Sequence, residues 1–224
     1  MQPGTRKTLA VALALLFSPL AVVEAAKPIE LFNGKDLAGW TKRGGAATYA
    51  AEDGAVVGRS APNTTNTFLT TDKEYGDFEL NLDFKIDDTD FNSGVQIRSH
   101  SRPEGNEQRV YGYQVEIDPK PRAWTAGIYF EGGSPERPAG WLNDLEKNEP
   151  ARTAFRLGKW NHLRIVANGP RIQTWLNGVP AADFIDTDKK AFTPTGFIGL
   201  QVHGVGGDTD TKEVRWKNIK LKEL

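Results

Sequence analysis

The sequence predicts an all-β fold, a sandwich or barrel built from antiparallel strands. Three observations lead there. Apolar and polar residues alternate with period two through most of the chain, as they do when one face of each strand is buried. Clusters of Gly, Asp and Asn interrupt these runs at short, regular intervals. No segment of ten or more residues has the 3.6-residue period of an amphipathic helix, although Leu142 to Phe155 has room for a short one.

The first segment stands apart from the fold. Arg6 and Lys7 precede an apolar stretch from Leu9 to Val23, and Val23-Glu24-Ala25 offers small residues where a signal peptidase reads. This is the pattern of a secretory signal spanning residues 1–25, too short and wrongly flanked for a stable anchor. Cleavage after Ala25 leaves about 200 residues, which suits one all-β domain over residues 28–224. No later run is long enough to span a bilayer. The expected location is therefore secreted or periplasmic. The chain has no cysteine, so an exported fold rests on core packing alone, and thiolate metal sites and cysteine nucleophiles are excluded. A net charge of −1 argues against nucleic acid as a partner, because phosphate binding needs a basic footprint. The 6 Trp and 5 Tyr fit a protein that faces carbohydrate.

The strands follow in order. Phe78-Glu79-Leu80-Asn81-Leu82-Asp83-Phe84-Lys85-Ile86 is a pure alternation with its apolar set facing a core. Gly94-Val95-Gln96-Ile97-Arg98 repeats it. Gly112-Tyr113-Gln114-Val115-Glu116-Ile117-Asp118 places Val115 and Ile117 inward and Gln114, Glu116 and Asp118 on the other face. Further runs are Leu163–Ala167, Arg171–Leu176, Phe197–His203 and Val214–Leu221. Trp175-Leu176 enters Asn177-Gly178, a hairpin-turn signal. The regions Ser99 to Arg109 and Gly132 to Pro150 read as long irregular loops of the kind that line binding sites.

Setting aside the residues that share parity with the core leaves one polar set: Gln96 and Arg98; Gln114, Glu116 and Asp118; Tyr129 and Glu131; Trp175; Gln201 and His203. If these strands are neighbours in a curved sheet, the set forms one concave surface. Aromatic rings there would stack on sugar faces, while amides, carboxylates and Arg98 would satisfy hydroxyls. Glu116 has the strongest claim to chemistry. A laminarinase-type Glu-x-Asp-x-x-Glu motif is excluded, since Pro119 interrupts the strand and Pro121 stands where the third acid would be. Asp88-Thr89-Asp90, Asp186-Thr187-Asp188 and Asp208-Thr209-Asp210 recur as either calcium ligands or ordinary capped turns. Histidine-rich metal spacings, phosphate loops and nucleophile elbows are absent.

Several stretches in order resemble a known family. They are Leu31-Phe32-Asn33-Gly34-Lys35-Asp36-Leu37-Ala38-Gly39-Trp40, Asn92-Ser93-Gly94-Val95-Gln96-Ile97-Arg98, the strand at Gly112–Asp118, Trp160-Asn161-His162, Trp175-Leu176-Asn177-Gly178, Gly196–Gly204 and Asn218–Leu224. Together they resemble the 3-keto-disaccharide hydrolases, long catalogued as a domain of unknown function. The resemblance covers nearly the whole chain after residue 27. It implies a concanavalin A-like jelly-roll sandwich of two antiparallel sheets, secreted by polysaccharide-degrading bacteria. It also implies cleavage of glycosides that carry a ketone at carbon 3. Such chemistry needs a base, an acid and an electrophile. Glu116 or His203 would be the base and Arg98 the electrophile, with Gln96, Gln114 and Gln201 positioning hydroxyls and Asp118, Tyr129, Glu131 and Trp175 also contacting sugar. A divalent metal, calcium or a transition metal, would be the alternative electrophile on Glu116, Asp118 and His203. The rival expectation is a non-catalytic carbohydrate-binding module of the same fold.

Overall fold

The computed structural model describes residues 27–119, 121–207 and 210–224, so the expected signal segment lies outside the described residues. In chain order the strands are β1 (Ile29–Glu30), β2 (Trp40–Gly44), β3 (Thr48–Glu52), β4 (Ala55–Arg59), β5 (Thr67–Tyr75), β6 (Phe78–Ile86), β7 (Ser93–Glu104), β8 (Glu107–Ile117), β9 (Ile128–Glu131) and β10 (Gly140–Trp141). A short helix α1 (Glu149–Thr153) follows, then β11 (Asn161–Asn168), β12 (Arg171–Leu176), β13 (Val179–Ile185), β14 (Gly196–Val202) and β15 (Glu213–Glu223). They form two antiparallel sheets. One runs β13-β12-β11-β6-β15-β4-β3, with β1 beside β15; the other runs β10-β9-β8-β7-β14-β5-β2. This is the expected sandwich. Among the described residues no helix is long and apolar enough to cross a membrane.

The alternating runs become what their patterns dictate. In β6, Phe78, Leu80, Leu82, Phe84 and Ile86 are buried while Glu79, Asn81, Asp83 and Lys85 stay half-exposed. That sheet turns its polar face to water. In β14 every residue is buried: Ile198, Leu200 and Val202 enter the core, and Gln201 is buried on the other face. A strand covered on both faces with an amide on the far side signals a floor rather than a solvated surface. The two sheets share one apolar core that runs from Trp40 and Val56 through Tyr113, Ile165 and Ile198 to Trp216. Asn177 and Gly178 make the β12–β13 turn with φ of 52° and 83°, the left-handed pair of a type I′ hairpin. Helix α1 forms inside the stretch with room for one; Asn148 Oδ1 accepts the Ala151 N–H as its cap, and Pro150 sits in the first turn.

Two expectations are corrected here. Ser99 to Arg109 is not an irregular loop. β7 and β8 continue as a hairpin in which Glu104 pairs with Glu107 across Gly105-Asn106. Its polar residues carry no period-two apolar signal because this hairpin projects past the core. Arg98 does not stay in phase with Gln96. The β7–β8 register shifts between Ile97 and His100, and Arg98 takes a φ of 46° in this bulge. Its side chain, 0% exposed, runs to the turns at one end of the sandwich. There it donates to the carbonyls of Gly76 and Gly169 and to Asp77 Oδ1. Gly196 makes the bulge possible, since a Cβ there would lie 2.3 Å from the Arg98 carbonyl carbon.

Candidate functional site

The outer face of the β10-β9-β8-β7-β14-β5-β2 sheet carries the site. Strand order β9-β8-β7-β14 makes neighbours of the strands that hold Tyr129, Gln114, Gln96 and Gln201. Gln114 stands opposite Tyr129 on one side and Gln96 on the other, while Gln96 faces Gly199. Tyr129, Gln114 and Gln96 therefore form one row across three strands, closed by Gly199. Gly94 lies opposite Glu116, and a Cβ on it would come within 2.5 Å of the Gln114 side chain. The glycine leaves the amide its place.

These side chains form a directed ladder. Ser99 Oγ donates to Gln96 Oε1 at 2.7 Å, and Gln96 Nε2 donates to Gln114 Oε1 at 2.5 Å. Gln114 Nε2 then donates to Glu116 Oε1 at 2.6 Å and reaches Gln201 Oε1 at 3.4 Å. Gln96 is thus a buried support beneath Gln114 rather than a surface contact. Glu116 ends the ladder at the floor of a cavity of about 520 Å3. Asn66, Asn92, Gln114, Gln201 and His203 share the lining with Tyr129, Glu131, Trp141, Arg109 and Arg122.

Burial pushes the Glu116 carboxyl well above its ordinary 4.5, and the charges of Glu131 and Asp118 push the same way against the Gln114 hydrogen bond and Arg122. Burial also raises Glu131, against the Asn66 hydrogen bond and the charges of Arg109 and His203. Two neighbouring carboxyls are therefore biased towards the protonated form. Asn66 ties this corner together: its Nδ2 donates to Glu131 Oε1 at 3.1 Å and its Oδ1 accepts the Gly204 N–H at 2.8 Å. His203 Nδ1 lies 2.7 Å from the Gly204 carbonyl oxygen. A carbonyl only accepts, so Nδ1 carries a proton, and in the neutral tautomer the lone pair is on Nε2.

The wall is aromatic and cationic. The Trp141 ring meets Trp124 and Tyr129 edge-on, at centroid distances of 4.8 and 5.4 Å. The Arg122 guanidinium lies 4.8 Å from the Trp141 ring centre, and its Nε donates to Asp118 Oδ2 at 2.8 Å. Asp118 is buried just past the end of β8 and receives its backbone support from Thr125 Oγ1.

The structure thus brings together Gln114, Glu116, Tyr129, Glu131, Gln201 and His203, with Asp118 beside them and Gln96 beneath. It separates Arg98 and Trp175. Trp175 belongs to the opposite sheet, where its ring lies 4.2 Å from the Arg164 guanidinium on the outer face. Its parity was that of a non-core residue, but its sheet is the wrong one. Reasoning from sequence missed Asn66, Asn92, Arg109 and Arg122, which come from loops and from the projecting hairpin and obey no strand parity. Trp141 had no signal beyond its residue type.

Among the described residues no three His, Asp or Glu side chains are grouped as a metal's ligands would be. Glu116, Asp118 and His203 do not form such a set. The repeated Asp-x-Asp loops show the capped-turn alternative where they are described. Asp88 caps the Asp90 N–H and pairs with Lys212, while Asp186 is held by Arg137 and Tyr113. Asp208 and Thr209 lie outside the described residues.

Comparison with known proteins gives the following. The family model described as the 3-keto-alpha-glucoside-1,2-lyase-like domain matches residues 27–222. No curated protein matches the chain. A candidate glycosyl hydrolase from Parabacteroides distasonis superposes with a TM-score of 0.64 at 24% identity, covering 88% of this chain and 94% of that one. The carbohydrate-binding module CBM66 from Bacillus subtilis gives 0.56 at 19% identity, covering 83% and 96%. A Bacillus subtilis protein of unknown function with a galectin-like fold gives 0.57 at 9% identity, covering 82% and 89%. At these identities the likeness is one of fold.

Proposed function

The chain belongs to the 3-keto-alpha-glucoside-1,2-lyase-like domain family, and from that premise we propose that it cleaves 3-keto-glycosides by elimination across carbons 1 and 2. One observation carries the reading: Glu116, a carboxyl whose pKa burial raises, shares a polar cavity with two arginines and with a histidine whose Nδ1 is engaged by a carbonyl, which directs Nε2 to the role of base.

The ketone acidifies the proton on carbon 2. His203 Nε2 takes that proton, and the electron pair moves into the ring as an enolate whose oxygen lies on carbon 3. Arg122, braced by Asp118 and Trp141, or Arg109 stabilises this oxyanion, the task first expected of Arg98. The pair then returns to form the carbon 1–carbon 2 double bond as the bond from carbon 1 to the glycosidic oxygen breaks. Glu116 gives its proton to the departing oxygen. The products are an alcohol, or the second sugar, and a 1,2-unsaturated 3-keto sugar. Water adding across that double bond completes a net hydrolysis. Gln114 and Gln201 hold hydroxyls, and Tyr129 and Trp141 offer faces for the ring.

The test is incubation with a 3-keto-disaccharide, followed by chromatography of both halves. Glu116→Gln and His203→Ala should each slow release by at least about a hundredfold. Unchanged rates in both remove the site assignment. Failure to release sugar from any keto-glycoside removes the enzyme reading. The second reading, a carbohydrate-binding module, is favoured by the fold shared with CBM66 and by the aromatic wall. Calorimetric binding of an intact polysaccharide without turnover would select it. Secretion, inferred from residues 1–25, would be compatible with a chain that needs no disulfide.

A further inference from the structure

The mechanism above gives no task to Asn66, which shares the His203 corner of the cavity with Glu131. β14 ends at Val202, paired with Thr67 at the start of β5. One step further, the same antiparallel register sets His203 opposite Asn66. Asn66 makes no hydrogen bond to the imidazole. It acts on the backbone that the ring uses.

The Asn66 amide has one orientation that satisfies both neighbours. The Gly204 N–H only donates, so Oδ1 turns to it at 2.8 Å, and Nδ2 is left to donate to Glu131 Oε1 at 3.1 Å. Asn66 thereby holds the peptide that joins His203 to Gly204. The next stretch is held from the same loop: Pro62 and Val205 form a parallel bridge, and the Asn63 N–H donates to the Gly206 carbonyl at 2.8 Å. The fit is close, since a Cβ on Gly204 would lie 2.4 Å from the Thr64 carbonyl oxygen. A glycine has no side chain to limit its own peptide, and Asn66 supplies that limit. The Gly204 carbonyl, 2.7 Å from His203 Nδ1, is therefore aimed rather than free.

The aim has a chemical consequence. A neutral imidazole in water favours the tautomer with its proton on Nε2, which leaves no lone pair there. A carbonyl fixed at Nδ1 reverses that preference. Nε2 has no hydrogen-bonding partner among the described residues, and the ring lines the cavity. We propose that Asn66 is a positioning residue: by holding the Gly204 peptide it keeps neutral His203 in the Nδ1–H tautomer, with the Nε2 lone pair ready to take a proton. The use made of that lone pair rests on the keto-glycoside reading; the tautomer is a property of the protein without ligand.

The test is a long-range 1H–15N correlation spectrum of the 15N-labelled protein. It is taken without ligand at about pH 8.5, above the ordinary imidazole value of about 6.5. His203→Gln identifies the His203 signals among the 3 histidines. The unaltered protein should show a protonated Nδ1 and a bare Nε2. Asn66→Ala should move His203 towards the Nε2–H tautomer. On a 3-keto-disaccharide it should lower kcat about tenfold with KM within about twofold, because only the minor tautomer then carries a base. Asn66→Asp keeps an acceptor for the Gly204 N–H, and Glu131, biased by burial towards its protonated form, donates to the second oxygen. This variant should retain the Nδ1–H signature and kcat within about threefold. Circular dichroism checks the fold of each variant. An Nε2–H ring in the unaltered protein, an unchanged His203 spectrum in Asn66→Ala, equal loss of the signature in both variants, or a changed tautomer with unchanged kcat overturns the assignment. If the tautomer responds as expected but no keto-glycoside is cleaved, Asn66 keeps its role in setting the tautomer and the lyase reading alone falls.

Discussion

Glu116 occupies a position that water barely reaches, and its protonation state follows from that. In the unfolded chain it ionises near its ordinary 4.5; in the fold, burial first and the Glu131 and Asp118 charges next raise that value. Above about pH 4.5 the folded state therefore holds a proton that the unfolded state has lost. The contribution to stability is complete below 4.5 and declines as pH rises towards the raised value. Glu131 adds a slope of the same sign. Thermal midpoints measured between about pH 4.5 and 8 should fall less steeply in Glu116→Gln than in the unaltered protein, with part of the slope surviving through Glu131. Parallel curves would mean that Glu116 is ionised in the fold. The type and spacing of Gln114, Glu116 and Asp118 were legible because alternation along a strand is local geometry. The direction of the Gln96–Gln114–Glu116 hydrogen bonds was not, since it depends on register between strands.

At the scale of elements, the β7 bulge shows how one inserted residue moves a side chain from one task to another. Parity placed Arg98 beside Gln96; the shift between Ile97 and His100 sends it to the Gly76, Asp77 and Gly169 turns instead. Its three acceptors make it a tie between chain reversals. Arg98→Met should lower stability by about 1–3 kcal/mol in urea unfolding, because it removes the hydrogen bonds of a buried guanidinium to two carbonyls and to the half-exposed Asp77 carboxylate. The kcat/KM of the folded fraction should stay within about twofold. A loss of a hundredfold or more at full occupancy of the fold would return Arg98 to the site. The β7–β8 hairpin teaches the converse lesson. Its outer half lacks alternation because it projects beyond the core, yet it delivers Arg109 to the cavity.

On the scale of the whole molecule, the two sheets are one body packed on a common core, and polar links reinforce the seam. Arg137, in the β9–β10 loop, makes a two-pronged ion pair with Asp186 at the end of β13, and the Tyr113 hydroxyl donates to the same carboxylate. That loop leads to Gly140 and Trp141 on the cavity wall. Unfolding in urea followed by tryptophan fluorescence and by far-UV circular dichroism should give one coincident transition. Two separated midpoints would show that the sheets melt independently. The sequence by itself determined the all-β class, most strand positions, the Asn177-Gly178 turn and the family, because alternation, turn chemistry and ordered short motifs are properties of neighbouring residues. Only the tertiary structure decided which polar faces meet. Strand order joined Gln114, Glu116, Tyr129, Glu131, Gln201 and His203; a bulge removed Arg98; membership of the opposite sheet removed Trp175; and loops brought Asn66, Asn92 and Arg122. Those outcomes depend on pairings between residues far apart in the chain, and period-two patterning carries no information about which strand lies beside which.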